Sequence, residues 1–181
     1  MRELTLDDLK KAGEMFRRCV PDLAEVYVFG SCSLVAWHPE IDAKLRTSVD
    51  IDFSPVDRAL FYFDAKFVEQ WAGLESDFFG ENQFYIDYVT PDLLRCTPPG
   101  WQERARVIEL TPGLMARCLD PHDVAYNKLW AGRPKDIAWV KGLLNTDLIT
   151  MHLLKERHAG NPIPADEHQK VTRSMERVEE G

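Results

Sequence analysis

The segment RTSVDIDF constrains the fold of this chain most, because it places Asp50 and Asp52 one residue apart in an apolar run. Its apolar residues alternate with the two aspartates, and this period of two predicts a β-strand over residues 48–53. Both carboxylates then lie on one face of the strand, where each raises the free-energy cost of ionising the other. The chain must therefore place this face where solvent or cations can reach it.

The composition is typical of a soluble globular protein, since 45% of the 181 residues are hydrophobic and 29% are charged. The net charge of −8 disfavours a protein that coats nucleic acid nonspecifically, because phosphate binding depends on Lys and Arg. No apolar run reaches the length of about eighteen residues that a membrane span needs. The N-terminus resembles an amphipathic helix rather than a secretory signal. We therefore expect a cytoplasmic protein without membrane contact.

The cysteines and histidines of the chain form no recognisable metal or disulfide pattern. The four cysteines are widely scattered with no C-x-x-C pair, which argues against a zinc site and against a disulfide scaffold. The five histidines include no H-E-x-x-H arrangement. Carboxylates are therefore the candidate metal ligands of this sequence.

Periodicity and capping signals predict a short series of strands followed by a series of helices. The predicted elements are a helix over 5–18 with Thr5 as N-cap, a strand over 24–30, a helix from Ser31, the strand over 48–53, a helix that runs to Gly73, strands over 84–89 and 105–110, a helix with Asp120 as N-cap and Pro121 at its first position, and helices over 134–145 and 146–160. This order predicts an α+β (α/β-like) fold, in which a mixed β-sheet is flanked by helices.

The same pattern divides the chain into one domain and a tail. Residues 1–160 are expected to form a single domain, with a sheet core over 1–115 and a helical part over 116–160. Residues 161–181 begin with two prolines and continue as a polar, charged stretch. We expect this segment to be a loosely packed tail or a frayed helix.

Paired carboxylates on a strand favour divalent cation binding. Mg²⁺ prefers oxygen ligands and is commonly held by one or two carboxylates together with substrate phosphates and water. Cations between Asp50 and Asp52 would cancel their repulsion, activate an attacking hydroxyl and stabilise a leaving pyrophosphate. Asp87 is the expected third ligand if its strand lies beside residues 48–53. The alternative is an acidic strand face that is simply solvated.

A second feature, the Gly30-Ser31 step, predicts a phosphate-binding turn. A strand that ends at Gly30 and turns into a helix leaves backbone N–H groups free to bind phosphate. The hydroxyls of Ser31 and Ser33 can add hydrogen bonds to such a ligand. Arg46, just before the acidic strand, either neutralises phosphate or pairs with an acidic side chain, and the sequence leaves both readings open.

Together these residues resemble a known signature. The segment FGSCSLVAWHPEIDAKLRTSVDIDF resembles the nucleotidyltransferase signature, in which Gly-Gly or Gly-Ser is followed by Asp-x-Asp on the next strand. Its ending is similar to that of the AbiEii-type toxin nucleotidyltransferases and their small uncharacterised relatives. The later segment LDPHDVAYNKLWAGRPKDIAWVKGLL resembles the second motif of those relatives. The two motifs cover about residues 24–145 and imply a nucleotidyltransferase fold with a helical C-terminal part.

The resemblance implies a role for each matching residue. Gly30 and Ser31 would hold the nucleotide phosphates, while Asp50, Asp52 and Asp87 would form the metal-binding and catalytic cluster with Mg²⁺ or Mn²⁺. Lys128 would reach the triphosphate, and Asp136 would orient it or act as a base near the acceptor. From the residues alone, Lys128 can equally be a lysine that extends along an apolar surface to water, and Asp136 can be a helix cap.

Three hypotheses of function follow. The first is a metal-dependent nucleotidyltransferase, an enzyme that transfers a nucleoside monophosphate from an NTP to an acceptor hydroxyl of RNA or tRNA, a protein or a small molecule. The toxin relatives add an expected role as the toxin of a toxin–antitoxin pair, with an antitoxin as partner. The second is a noncatalytic module that keeps the fold and binds a nucleotide or a protein. The third is a purely structural interaction protein.

Overall fold

A computed structural model describes residues 1–56 and 58–180, except for the side chains at 58–60, 62 and 63. Its strands are β1 (Arg2–Glu3), β2 (Glu25–Phe29), β3 (Thr47–Ser48), β4 (Asp50–Pro55), β5 (Tyr85–Tyr88), β6 (Arg106–Thr111) and β7 (Leu114–Cys118). Its α-helices are α1 (Leu6–Cys19), α2 (Leu34–Trp37), α3 (Arg58–Ala72), α4 (Asp77–Asn82), α5 (Trp101–Arg104), α6 (Pro121–Ala131), α7 (Pro134–Leu144), α8 (Met151–Ala159) and α9 (Ala165–Glu179). Single 3₁₀ turns cover Ser31–Ser33, Ala43–Leu45 and Pro91–Leu94.

The centre of the fold is a five-stranded mixed sheet with the strand order β5-β4-β2-β7-β6. Strands β4 and β5 are parallel, as are β2 and β7. Strand β2 is antiparallel to β4, and β6 is antiparallel to β7. A separate two-stranded ribbon pairs β1 with β3. The predicted α+β fold with a mixed sheet flanked by helices is therefore confirmed.

The two faces of the sheet pack against different parts of the chain. On one face, Val28 of β2 and Phe53 of β4 pack with Phe16 of α1 and Val68 of α3 in a buried core. On the other face, Phe29 lies in a smaller cluster with residues of the α5 and α6 regions. Because side chains alternate across a strand, the aspartates of β4 share this second face, which lies on the side of the C-terminal helices.

The C-terminal helices form a core of their own. Helices α6, α7 and α9 pack together around Leu129, Val140 and Val171, which are fully buried. The predicted start of α6 is confirmed, since the side chain of Asp120 accepts a hydrogen bond from the backbone N–H of His122 and Pro121 occupies the first turn. The helix ends at Gly132 with φ 69°, a left-handed conformation that glycine adopts at little cost.

Strand β7 was not predicted from the sequence. Gly113, with φ 80°, closes a tight hairpin between β6 and β7. Leu114, Ala116 and Cys118 then alternate with more exposed residues, and all three are buried. The period of two was therefore present, but five residues directly after Pro112-Gly113 are a weak signal until the neighbouring strands are known. Strand β7 lies inside the sheet between β2 and β6.

Residues 161–181, expected as a loosely packed tail or a frayed helix, contain a helix that packs against the rest of the chain. Helix α9 occupies Ala165–Glu179 and buries Val171, Met175 and Val178 against the C-terminal core. These residues recur at spacings of four and three, which places them on one side of a helix. The polar composition of the other side concealed this apolar stripe.

The cysteines and the helix lengths bear on two expectations from the sequence. The thiols of Cys19, Cys32, Cys96 and Cys118 are all free. Burial raises the pKa of the Cys19 thiol to about 11, which keeps it protonated at neutral pH. Within the part of the chain that the structure describes, every helix is too short or too polar to cross a membrane.

The packing of α9 predicts a large stability effect at Met175. Replacement of this buried residue in Met175→Ala leaves a cavity, which costs about 2–5 kcal/mol in the free energy of unfolding. Urea denaturation of the full chain measures the loss. The neighbouring exposed residue gives the matched control, Glu176→Ala, with an expected change within about 0.5 kcal/mol. Equal stability of both variants would contradict the packing of α9.

Candidate active site

Three aspartates meet on the second face of the sheet, at the edge formed by β4 and β5. Asp52 of β4 lies directly beside Asp87 of β5, and Asp50 lies beside Tyr85. Adjacent strands are about 4.8 Å apart, so the three carboxylates share one small area. The prediction that the strand of Asp87 lies beside the strand of Asp50 and Asp52 is confirmed. Their role in metal binding stays a prediction.

The electrostatics of this cluster show that its negative charge is poorly compensated. Burial raises the pKa of Asp52 to about 7, and the charges of Asp50 and Asp87 add to the increase. The pKa of Asp87 is also raised, first by burial and then by Asp50 and Glu69. A hydrogen bond from the Ser48 hydroxyl holds Oδ1 of Asp50 at 2.5 Å. Such a face favours a bound cation.

Gly30 brings the backbone of the β2 end into contact with Asp52. Its φ of 71° with ψ of −164° is a conformation that essentially only glycine adopts. A Cβ at this position would overlap Oδ2 of Asp52. The structure therefore places Gly30 and the adjoining Ser31 beside the acidic cluster, where a ligand held by one can also touch the other.

The turn after Gly30 is tighter than the predicted helix. Residues Ser31–Ser33 form a 3₁₀ turn, and α2 adds only four further residues. Cys32 donates to the Phe29 carbonyl at 2.9 Å, and the buried Ser33 hydroxyl donates to the Leu119 carbonyl at 2.8 Å. Ser33 therefore joins this turn to the residue that follows β7. Its predicted phosphate contact would require that hydroxyl to change partner.

Arg46 is engaged away from the aspartates. Its Nε donates to the Ile41 carbonyl and its Nη1 to the Leu4 carbonyl, each at 3.0 Å. Its Nη2 pairs with Glu3. Of the two readings that the sequence left open, pairing with an acidic side chain is the one observed. These contacts fix the N-terminal ribbon to the loop before β4.

Lys128 and Asp136 are brought together by the α6–α7 hairpin. The Lys128 ammonium lies 3.6 Å from Oδ1 of Asp136, whose side chain is only 1% exposed. The same ammonium lies 4.7 Å from the centre of the Trp139 ring. Burial lowers the pKa of Lys128, while attraction to Asp136 and Asp52 works in the opposite direction. The long side chain therefore does not simply extend to water, because its charge is held near the carboxylates.

Arg133 is a further cation of this hairpin. Its place beside the second motif suggests a solvated side chain or one that lines an acceptor groove, and neither reading pairs it with Asp136. Its Nε lies 2.5 Å from Oδ2 of Asp136 and its Nη2 lies 3.2 Å from Oδ1. The hydrogen bond to Asp136 raises the pKa of Arg133, and the charges of Asp50 and Asp52 contribute to the rise. The i, i+3 spacing of Arg133 and Asp136 at a helix start is the signal that indicates this pair.

The donor set of the cluster fits a hard divalent cation. Among the described residues, no group of three or more His, Cys, Asp or Glu side chains is already arranged to hold a metal ion. Mg²⁺ commonly takes only one or two carboxylates and fills its other positions with phosphate and water oxygens. Asp50 and Asp52 are the residues that would hold it. Asp87 borders the same space.

Comparison with protein-family models gives a match over residues 8–178, described as a nucleotidyltransferase of unknown function (DUF6036). The chain belongs to this family. No curated protein and no solved structure matches the chain. The DUF6036 match includes the sheet, the Gly30 turn, the α6–α7 hairpin and nearly all of α9. The aspartate cluster and the Lys128–Asp136–Arg133 group therefore lie within the matched residues.

The contact between Gly30 and Asp52 predicts the effect of one added methyl group. In Gly30→Ala, the left-handed φ and the overlap with Asp52 both oppose folding, so we expect a loss of about 2–4 kcal/mol in unfolding free energy. Thermal or urea denaturation measures it. Gly80→Ala is the matched control, because its added Cβ meets open space within a helix and favours helix formation. A Gly30→Ala variant as stable as Gly80→Ala would refute the contact.

The raised pKa of Asp52 predicts that Asp52→Asn increases the free energy of unfolding by an amount that depends on pH. Since the folded-state pKa lies near 7 and the ordinary value is 3.8, ionisation destabilises the fold as the pH rises from about 4 to 7. At pH 8 in EDTA, Asp52→Asn should therefore be more stable than wild type by roughly 1–4 kcal/mol. This advantage should diminish towards pH 4.

Urea denaturation at several pH values tests this prediction. Asp147→Asn, at an exposed position, controls for the loss of one negative charge. Saturating Mg²⁺ should raise the unfolding temperature of wild type more than that of Asp52→Asn. A pH-independent difference between Asp52→Asn and wild type would show that the Asp52 carboxylate is not destabilised by its surroundings.

Proposed function

We propose that the protein transfers a nucleoside monophosphate from an NTP to an acceptor hydroxyl, with Mg²⁺ or Mn²⁺ bound by Asp50 and Asp52. The observation that supports this most is the contact of the Gly30 backbone with Asp52. Because of this contact, the Gly30-Ser31 turn, which we propose binds phosphate, lies next to the carboxylates that we propose bind the cation. Membership of a nucleotidyltransferase family supports the same reaction class.

In the proposed reaction, the acceptor oxygen attacks the α-phosphorus and forms a new P–O bond. The bond from the α-phosphorus to the bridging oxygen breaks, and pyrophosphate leaves with the electron pair. A cation held by Asp50 and Asp52 would neutralise charge at the phosphates and lower the pKa of the attacking hydroxyl. Gly30 and Ser31 hold the phosphates through backbone N–H groups.

Asp136 and Asp87 are the two candidates for the general base that accepts the proton of the acceptor hydroxyl. Asp136 accepts hydrogen bonds from Arg133 and is paired with Lys128, so its oxygens are already engaged in orienting two cations. The pKa of Asp87 is raised by burial and by neighbouring acids, which makes its carboxylate a better proton acceptor. We therefore assign the proton from the acceptor hydroxyl to Asp87 and an orienting role to Asp136.

The acceptor is proposed by class only: the hydroxyl of an RNA or tRNA, of a protein side chain, or of a small molecule. A role as the toxin of a toxin–antitoxin pair rests on the resemblance of the RTSVDIDF segment to AbiEii-type toxins. An antitoxin partner would follow from that role. The arrangement of the aspartates, the Gly30 turn and the α6–α7 hairpin supports the reaction class, and the experiment below identifies the acceptor.

The proposed reaction predicts that transfer depends on Asp50. Purified protein is incubated with each NTP radiolabelled at the α-phosphate, with Mg²⁺ or Mn²⁺, and with total cellular RNA. Label should appear on RNA or on the protein itself, and Asp50→Asn should reduce its rate by a factor on the order of 10² or more, because the cation loses a ligand. Asp147→Asn should retain the wild-type rate.

Two outcomes would contradict the proposal. Wild-type transfer by Asp50→Asn would exclude the carboxylate mechanism. NTP binding by calorimetry without a labelled product, across RNA, protein and small-molecule acceptors, would favour the noncatalytic binding module.

A further inference from the structure

We propose that Arg133 is a phosphate-binding residue of this site, whose guanidinium holds the β- and γ-phosphates of the NTP and then the leaving pyrophosphate. This inference rests on the proposed nucleotidyl transfer and adds a second cation to Lys128. It differs from the reading of Arg133 as a solvated side chain or as a purely structural partner of Asp136.

The position of Arg133 is fixed by the corner between α6 and α7. Gly132 ends α6 with φ 69°, Arg133 is the N-cap of α7, and Pro134 occupies the first turn. Nη1 of Arg177 on α9 donates to the Gly132 carbonyl at 3.0 Å and supports this corner. The backbone of Arg133 is therefore held in place, while its side chain remains 59% exposed and accessible to a ligand.

The charges around Arg133 leave an excess of positive charge next to the aspartate cluster. The buried Asp136 carboxylate is shared by Arg133 and Lys128. One carboxylate cannot neutralise two cations, so this group carries one net positive charge. The hydrogen bond to Asp136 raises the pKa of Arg133, and the charges of Asp50 and Asp52 add to the rise. A polyphosphate held at Asp50 and Asp52 through a cation would thus also meet the positive charges of Lys128 and Arg133.

The hydrogen-bond geometry leaves donors free for that ligand. Asp136 engages Nε and one N–H of Nη2. The described residues provide no acceptor for Nη1, and the second N–H of Nη2 is also open. A guanidinium presents its donors as a planar fork that matches phosphate oxygens in pairs. Asp136 therefore orients the fork, and the opposite edge of the fork can bind phosphate without breaking the ion pair.

The test measures binding rather than turnover. Inorganic pyrophosphate, each NTP and the corresponding nucleosides are titrated into the full-length chain with Mg²⁺ by calorimetry. The variants are Arg133→Gln, Arg133→Lys and Lys135→Gln. Lys135 is the matched control, because it is exposed on the first turn of α7 and its replacement removes the same charge two residues away.

We expect Arg133→Gln to weaken pyrophosphate and NTP binding by at least about tenfold, as for a lost charged hydrogen bond. Arg133→Lys should restore part of the affinity, because it keeps the charge but lacks the fork. Lys135→Gln should change affinity by less than about twofold. Nucleoside binding should be the same in all proteins, because nucleosides lack the phosphates that Arg133 contacts. Thermal unfolding verifies folding, and Arg133→Lys serves alone if Arg133→Gln fails to fold.

Two results would overturn the inference while leaving nucleotidyl transfer intact. The first is wild-type affinity for pyrophosphate and NTP in the Arg133 variants. The second is an equal loss in Lys135→Gln, which would show a general charge effect. A wild-type protein that binds neither NTP nor pyrophosphate would instead refute the proposed function together with the inference.

Discussion

The repulsion among Asp50, Asp52 and Asp87 is the constraint on which the arrangement of the second sheet face depends. Parallel pairing of β4 with β5 places Asp52 and Asp87 side by side. Ile51 and Phe53, the apolar neighbours of Asp52 on β4, point to the opposite face and are buried in the core there. A one-residue shift would bury the carboxylates in that core at a cost of several kcal/mol. The hydrophobic effect on one face thus holds together charges that repel on the other.

The C-terminal helices balance this acidic face without neutralising it. They contribute Lys128 and Arg133, and the attraction of both residues opposes the rise in the pKa of Asp52. They also contribute Asp136, whose carboxylate pairs with both cations and neutralises part of their positive charge. Burial, together with the charges of Asp50 and Asp87, outweighs this attraction and keeps the pKa of Asp52 at about 7. The helical part therefore brings positive charge next to the aspartates, and α9 packs against α6 and α7.

Local signals in the sequence predicted the parts of the site that local structure determines. The alternation around Asp50 and Asp52 specifies both the strand and the shared face, and the Asp120-Pro121 step specifies the start of α6. Partners from distant segments could not be predicted in this way. The Ser33 hydroxyl donates to the Leu119 carbonyl, and Arg46 donates to the Leu4 carbonyl beside β1. Such contacts join residues that are far apart in the sequence, so no local spacing of residues predicts them.

The division of charge among these residues would give a bound triphosphate a direction in the proposed reaction. Asp50, Asp52 and Asp87 lie together on the strands, whereas Lys128 and Arg133 lie on the α6–α7 hairpin. Carboxylates bind phosphate only through a cation, while Lys and Arg bind it directly. The proposal therefore puts the α-phosphate on the side of the strands and the β- and γ-phosphates on the side of the hairpin. In that orientation pyrophosphate would leave towards positive charge, and the acceptor would approach from the side of Asp87.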